Sequence, residues 1–362
     1  MKRCVIVGAG IVGQLCALEL YDRGWRNITI VEDPDSPPAS WAGGGILSPL
    51  FPWRYTQAMN ALCRDSVSRY KDLIQRLFES GFATGDELNL SGMWMEVRDE
   101  ESSALKAWIS QYGGIKSEWR QRIISEEPRN GLWFPEIGSV RNPRLLKSLR
   151  LFLRAKGVVF RSGKVTACVG EKDNTVALNF LGEGKIRFDN AILAPGAGIS
   201  RMVDFAEMFF PAKGEMLLYR LGKAAPSEIV LAHEGYCIPR ENGDTLVGST
   251  LRIGDGTCYP TVSGRFELEK IAEKVLPQAL GTRPAFHWAG VRPGFVRDWP
   301  IISALPSHGS VFLAAGHYRN GLASAPATAE LLAQLACNEA PFLDPSIYSF
   351  PSSRSSSSFL SR

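Results

Sequence analysis

Runs of apolar residues change period along this chain, and each change marks a new piece of architecture. Cys4-Val5-Ile6-Val7 is a continuous, largely β-branched run of the kind a strand covered on both faces requires. Residues 14–23 switch to helical spacing, with Leu15, Leu18 and Leu20 among small residues and Gly24 as the stop. Ile28-Thr29-Ile30-Val31 returns to a β-branched strand, so the opening reads as strand, helix, strand. Apolar residues at 61, 62, 67, 70, 73, 74 and 77 then recur every three to four positions, predicting one long helix over 56–80. Residues 92–97 predict a strand, 100–112 a helix, and 144–155 another helix entered through Asn142-Pro143. Trp133-Phe134-Pro135 and 139–143 are rich in turn formers.

Period two dominates the remainder. Residues 157–160, 163–168, 175–180 and 184–188 predict strands joined by polar turns, the later ones as antiparallel pairs. An apolar strand over 190–194 runs into Pro195-Gly196-Ala197-Gly198, which places a site at a strand's carboxyl end. Residues 215–220, 229–232, 236–240 and 245–250 alternate, with Glu241-Asn242-Gly243-Asp244 as a hairpin turn, and together predict an antiparallel sheet. A helix over 266–276, strands over 286–291 and 311–315, and a helix over 325–336 follow. The serine-rich stretch 351–362 is predicted to be a disordered tail.

The chemistry is densest where periods switch. Gly8-Ala9-Gly10-Ile11-Val12-Gly13 joins the first strand to the first helix, and Glu32 ends the second strand. In a dinucleotide site the first glycine allows a tight turn and the second lets the backbone approach a pyrophosphate. The third lets the helix pack on the strand, and the acid binds ribose hydroxyls. Glu32 would repel a 2′-phosphate, yet the motif alone leaves NAD and FAD both open. Gly43-Gly44-Gly45, flanked by Trp41, Ile46 and Leu47, predicts a loop passing close to a flat or charged ligand.

Composition narrows the class further. With 362 residues, 45% hydrophobic and 22% charged, the chain is of globular type, long enough for one large or two interleaved domains. A net charge of +4 without Lys/Arg runs argues against nucleic acid. No apolar run reaches about 18 residues, so no membrane span is expected. Seven cysteines without a C-x-x-C pair predict free thiols in a reducing, cytoplasmic setting. Four histidines and no ligand-like spacing predict no metal site.

At these motifs the chain resembles the D-amino-acid oxidase superfamily of FAD flavoproteins, and within it the glycine oxidases of the thiazole-biosynthesis type. The likeness rests on residues 7–13, Ser40 to Pro49, 51–55, 140–144, Lys213-Gly214-Glu215-Met216, 236–240, 288–293 and 316–321, in the family's order. It implies an α/β fold: an FAD-binding Rossmann-like domain of glutathione-reductase type with an α+β substrate domain on an antiparallel sheet. The cofactor domain would be discontinuous, over 1–85, 140–205 and 288–350, with 86–139 and 206–287 binding substrate.

The resemblance implies FAD at Gly8, Gly10, Ile11, Val12, Gly13, Glu32, Asp33, Ser40, Trp41, Ala42, Gly43, Gly44, Gly45, Ile46, Leu47 and Val165. Ala194, Gly196, Gly290 and Arg292 join them, as does the turn of Gly316, His317, Tyr318, Arg319, Asn320, Gly321 and Leu322. FAD would be non-covalent, because Ala315 stands where covalently linked relatives place a cysteine. Arg292 would anchor a substrate carboxylate with Tyr236 assisting and Arg319 beside the flavin; these three are the expected catalytic residues. Leu47 and Arg54 complete the expected substrate contacts. The implied reaction is oxidative deamination of glycine or a related small amine by hydride transfer to flavin N5, with oxygen as acceptor and hydrogen peroxide released. A dehydrogenase passing electrons to a quinone or protein, and a non-catalytic FAD-binding protein, are the alternatives. Family likeness further implies a homotetramer. Gly198 stands where relatives commonly have tryptophan, which leaves open an amine bulkier than glycine.

Overall fold

The computed structural model describes residues 2–112, 115–124, 126–171, 173–306 and 308–350. The expected tail over 351–362 lies outside them. The chain divides into two compact units. The first comprises the described residues within Met1–Trp41, Leu146–Ala212 and Arg292–Arg362; the second comprises Ala42–Leu145 and Lys213–Val291. The expected cofactor and substrate regions, which divide after 85 and 139, describe ligand duties rather than compactness and remain a proposal.

In the first unit the described residues form a six-stranded sheet in the order Ile301–Leu305, His308–Ala315, Asn190–Leu193, Arg3–Val7, Asn27–Glu32, Val159–Ser162. All pairs are parallel except Ile301–Leu305 with His308–Ala315. The continuous apolar runs read from the sequence suit this arrangement, since Val5, Ile6, Ile30, Ala191 and Leu313 are fully buried. Helices Ile11–Asp22 and Gly321–Cys337 pack against each other. A three-stranded antiparallel sheet, Val165–Gly170, Val176–Phe180 and Gly184–Phe188, shares an apolar core with the parallel sheet through Val165, Leu178, Phe180, Val7 and Leu193.

The second unit is built on a nine-stranded sheet, again among the described residues. Strands Gly235–Pro239 and Asp244–Gly248 form the expected hairpin, with Tyr236 opposite Gly248 and Ile238 opposite Leu246. Alternation sorts their side chains onto two faces. Met216, Ile229, Leu231, Tyr236, Ile238 and Leu246 share one core with Ile46, Phe51 and Trp53. Leu217, Val230, Cys237 and Val247 share the other with Leu268, Ile271 and Val275 of helix Val262–Val275.

Two expected elements differ. The helix over 56–80 is two helices, Gln57–Cys63 and Ser66–Glu79, because Asp65 leaves helical dihedrals (φ −102°, ψ 21°). Met59, Leu62, Ser66, Tyr70, Leu73 and Leu77 are buried across the break, so the apolar rhythm carries no trace of it. Trp133 and Phe134 are not in a turn but end the strand Glu127–Phe134, which pairs with Glu118–Ile124. That partner is an edge strand with Glu118, Trp119, Gln121 and Ile123 exposed, and its charges hide the alternation.

Ile30 is fully buried on strand Asn27–Glu32, which is paired on both sides in the parallel sheet. Ile30→Ala is expected to destabilise the protein by about 2–5 kcal/mol, read as a lowered midpoint in urea unfolding.

Candidate active site

Parallel pairing brings three glycine turns to one edge of the sheet in the first unit. Val7 pairs with Leu193 and Leu193 with Leu313, so Gly8, Ala194 to Gly196, and Gly316 all leave from the carboxyl ends of neighbouring strands. Gly8 has φ +114°, and a Cβ there would lie 2.1 Å from the Ala194 carbonyl oxygen. A Cβ on Gly13 would lie 1.9 Å from the Gly8 oxygen, so the helix approaches the turn at a distance only glycine permits. Helix Ile11–Asp22 starts on Gly10, and the Ile11 amide donates to Ser40 Oγ at 3.1 Å. Ser40 thus arrives at the helix start from 29 residues away. A Cβ on Gly10 would meet Ser40 Oγ at 3.3 Å, and Gln14 Oε1 is buried without a hydrogen-bond partner. The bare turn and the free end of a helix dipole fit a dinucleotide pyrophosphate.

Glu32 ends its strand on the same edge, with Asp33 following and accepting from the Asp35 amide at 3.1 Å. Arg150 holds Glu32 with a two-pronged bond: Nη1 to Oε1 at 2.9 Å and Nη2 to Oε2. The guanidinium also lies over the Phe160 ring, 4.7 Å from its centroid. One lone pair on each Glu32 oxygen stays available for a hydroxyl. Arg150 escaped sequence reasoning because nothing in its helix marks a partner 118 residues away. Val165 is buried at the start of its strand.

The late turn is built from Gly316 (φ +86°), where a Cβ would meet Phe295 Cβ at 2.6 Å. His317 follows, 4% exposed, with Nε2 3.2 Å from Thr328 Oγ1 on the next helix. Burial pushes its pKa down to about 4, so its ring is neutral. Tyr318 takes a left-handed φ of +47° and Asn320 is buried, accepting from Ser324 Oγ at 2.8 Å. Gly321 and Leu322 begin helix Gly321–Cys337. Arg319 is exposed, its guanidinium 5.6 Å from the Tyr318 ring centroid. Arg292 is half-buried in strand Phe286–Phe295. At Gly198 a Cβ would meet only Pro195, at 3.8 Å.

The second unit brings the glycine loop to Tyr236. A Cβ on Gly44 would lie 2.7 Å from Ile238 Cδ1 and 3.4 Å from the Tyr236 ring. On the ring's other contact, a Cβ on Gly248 would meet the Tyr236 hydroxyl at 2.7 Å. Tyr236 is 8% exposed. Ile46 bridges Ser139, and the Leu47 amide donates to Gly138 at 3.0 Å, fixing the loop's exit. Gly290 packs so closely on Ala42 that a Cβ would sit 2.4 Å from that residue's Cβ. Trp41, which precedes the loop, is about half exposed. Arg54 is already engaged: Nε donates to Glu101 Oε1 at 2.6 Å, Nη2 is 2.8 Å from His233 Nδ1, and the guanidinium covers the Phe51 ring. Asn142, Arg240 and Trp288 bond the loop's carbonyls; all three lie in segments the sequence singled out, but with no role attached.

A largely parallel sheet whose strand ends carry three glycine turns and an acid after the second strand has the arrangement of a dinucleotide-binding fold. The chain belongs to the FAD dependent oxidoreductase family, DAO, whose family model matches residues 3–335. It is 35% identical over 359 residues to a glycine oxidase of Pseudomonas aeruginosa, spanning 96% of this chain and 98% of the relative. A glycine oxidase of Pseudomonas putida is 33% identical over 365 residues, spanning 96% and 98%. Among solved structures, the glycine oxidase from Geobacillus kaustophilus matches with a TM-score of 0.84 at 23% identity, over 97% of this chain and 99% of that one, which shows the shared fold. The protein is therefore an FAD-dependent amino-acid oxidoreductase. Among the described residues no helix is long and apolar enough to cross a membrane, and no cluster of three or more His, Cys, Asp or Glu could hold a metal.

Arg150→Met is expected to weaken FAD binding roughly tenfold, about 1.5 kcal/mol, with an unchanged circular dichroism spectrum; fluorescence titration of the apoprotein measures it. For His317 the unfolded chain, with a pKa near 6.5, binds more protons than the folded one down to about pH 4. The neutral ring therefore stabilises the fold above pH 6.5, and that contribution is lost as pH falls towards 4. The His317 ring resonance is expected to hold its neutral position at pH 5.5 in a heteronuclear titration, and His317→Gln to flatten the acid loss of stability.

Proposed function

We propose that the protein oxidises glycine or a related small primary or secondary amine bearing a carboxylate. The observation that carries this reading is Tyr236, held on an apolar sheet face against the bare Cα of Gly44, with its hydroxyl beside Gly248. Relatives named glycine oxidase, at 35% and 33% identity over nearly the whole chain, support the same substrate class. FAD, which the glycine turns at Gly8 to Gly13 and Gly316 to Leu322 would hold together with Glu32, would supply the electron sink for oxidation of the amine. Arg292 binds the substrate carboxylate through the two prongs of its guanidinium, and the Tyr236 hydroxyl donates to the same group. Together they fix the α-carbon, which is most of the catalytic task because no strong base is needed once the amine is neutral. Arg319, exposed at the late glycine turn, adds positive charge that favours an anionic substrate. Glu101 pairs with Arg54 Nε and His233 Nδ1 lies 2.8 Å from Nη2, which favours a wall over a carboxylate anchor as the part played by Arg54.

A primary amine, oxygen and water give 2-oxo acid, ammonium and hydrogen peroxide, the imine being hydrolysed after it forms; a secondary amine releases its alkylammonium in place of ammonium. The free cysteines of the described residues support a reducing, cytoplasmic setting.

Anaerobic mixing of the yellow holoprotein with glycine, sarcosine and D-amino acids tests the reading. Bleaching of the flavin by at least one of them is expected, with one peroxide formed per amine consumed in air. Arg292→Lys is expected to raise KM at least tenfold with a smaller change in kcat, since a point charge replaces a fork. Absence of bleaching by every compound in the set would reject the proposal.

A further inference from the structure

Four consecutive carbonyls of the glycine loop are held by different groups of the second unit. Trp288 Nε1 donates to Ala42 at 2.9 Å, Asn142 Nδ2 to Gly43 at 2.5 Å, Arg240 Nη2 to Gly44 at 3.0 Å, and the Val140 amide to Gly45 at 2.8 Å. Three of these donors are neutral and one is a cation. Arg240 is 8% exposed, and its Nη1 donates to Ser139 Oγ at 2.9 Å. Among the described residues no carboxylate lies within ion-pair distance of it. A buried guanidinium without a contact ion pair is strongly disfavoured. Burial and the nearby Arg141 push its pKa down to about 10 against a weaker opposing pull from the Asp244 carboxylate, which lies beyond ion-pair contact, and this still leaves it charged at neutral pH. Holding a loop does not require that charge, because Asn142 and Trp288 hold the adjacent carbonyls without one.

The Gly44 carbonyl shares its peptide with the Gly45 N–H. Gly45 is buried, and among the described residues its amide meets no acceptor. Its Cα cannot retreat, since a Cβ there would lie 2.2 Å from the Val140 oxygen and 2.4 Å from Asn142 Oδ1. A cation on the oxygen side draws electron density across the conjugated peptide and makes the N–H a stronger donor.

We propose that Arg240 is a positioning residue for the cofactor, turning the Gly44 carbonyl away and polarising the Gly44–Gly45 peptide so that its N–H donates to an electron-rich edge of the flavin ring. The proposal rests on the assignment of this loop to FAD. Negative charge grows on the ring as it accepts electrons, so a polarised donor favours the reduced form and raises the midpoint potential.

Arg240→Gln keeps a side-chain amide and removes the charge, whereas Arg240→Lys keeps the charge. The wild type and both variants, matched for FAD content and circular dichroism, are titrated against a redox dye of known potential. Arg240→Gln is expected to shift the oxidised-to-reduced equilibrium at least tenfold towards the oxidised form, about 30 mV for a two-electron couple, while Arg240→Lys stays within threefold of wild type. Ser139→Ala frees one prong of the guanidinium and is expected to shift the equilibrium less, in the same direction; it decides the matter if Arg240→Gln does not fold. An unchanged potential in Arg240→Gln, or in Ser139→Ala where that variant decides, overturns the proposal, as do equal shifts in the Gln and Lys variants. A wild-type holoprotein that no amino acid bleaches, combined with the expected shifts, would overturn the proposed substrate and uphold the role of Arg240.

Discussion

The approach of one backbone to another at Gly8 and Gly13 is the constraint on which the first unit depends. Helix Ile11–Asp22 lies so near the turn that a Cβ on Gly13 would overlap the Gly8 oxygen, and Gly8 itself lies equally near Ala194. Any side chain at either place would push the helix off the sheet or prise strand Arg3–Val7 from Asn190–Leu193. Because the contact is backbone to backbone, the helix start stands at the sheet edge with no side chain of the turn in front of it, and Ser40 Oγ reaches the Ile11 amide from outside the motif. The same closeness that packs the core thus clears the space a pyrophosphate needs. At the late turn the Gly316 backbone comes close to a side chain instead, that of Phe295.

The second unit also makes its ligand surface from main chain, but by a different route. Gly43 to Gly45 have no side chains to hold them, so the surrounding side chains and one amide hold their carbonyls instead. Pinning every carbonyl to the scaffold side fixes the orientation of the intervening peptides, and that is what pre-organisation means for a site whose donors are amides. The Gly44 Cα lies under Tyr236 and Ile238, so the loop and the expected carboxylate partner belong to one packed cluster of the sheet. Period-two alternation puts Tyr236 there: Cys237, one residue on, faces the helix Val262–Val275.

How far this was legible depended on whether a residue's reason lay nearby in the chain. Buried parallel strands such as Arg3–Val7 announce themselves, because both faces must be apolar. Gly8 and Gly13 were legible through spacing, and Glu32 through its place at a strand end. The edge strand Glu118–Ile124 was not, since solvent on one side lets Glu, Arg and Gln stand where an inner strand needs valine. Neither was the break at Asp65, which leaves the apolar rhythm in phase. Arg150 could not be inferred at all: its helix position is ordinary, and only the fold carries it to Glu32. Arg54 was legible as a charge but not as a charge already matched by Glu101.

Two buried cations of the second unit show why matching matters. Lys213 is 1% exposed, but Glu215 and Asp255 each lie 3.6 Å from its ammonium and Thr257 accepts from it at 3.1 Å. Glu215 is in turn bonded by the Thr261 amide and hydroxyl and by His287; burial alone would raise its pKa, yet these donors and Lys213 hold it below the usual carboxylate value. That network closes on itself and leaves little field outside it. Arg240, nearly as buried, is bonded among the described residues to a hydroxyl and a peptide oxygen, and the Asp244 carboxylate acts on it only from beyond ion-pair contact, so its charge is less fully matched than that of Lys213. In a low-dielectric surrounding an uncancelled charge acts over several ångströms, and the group it bears on most directly is the peptide it touches. Lys213 and Arg240 are thus two ways of burying a cation, one matched by contact carboxylates and one left to bear on the peptide it touches, and the proposed role toward the cofactor accounts for the second.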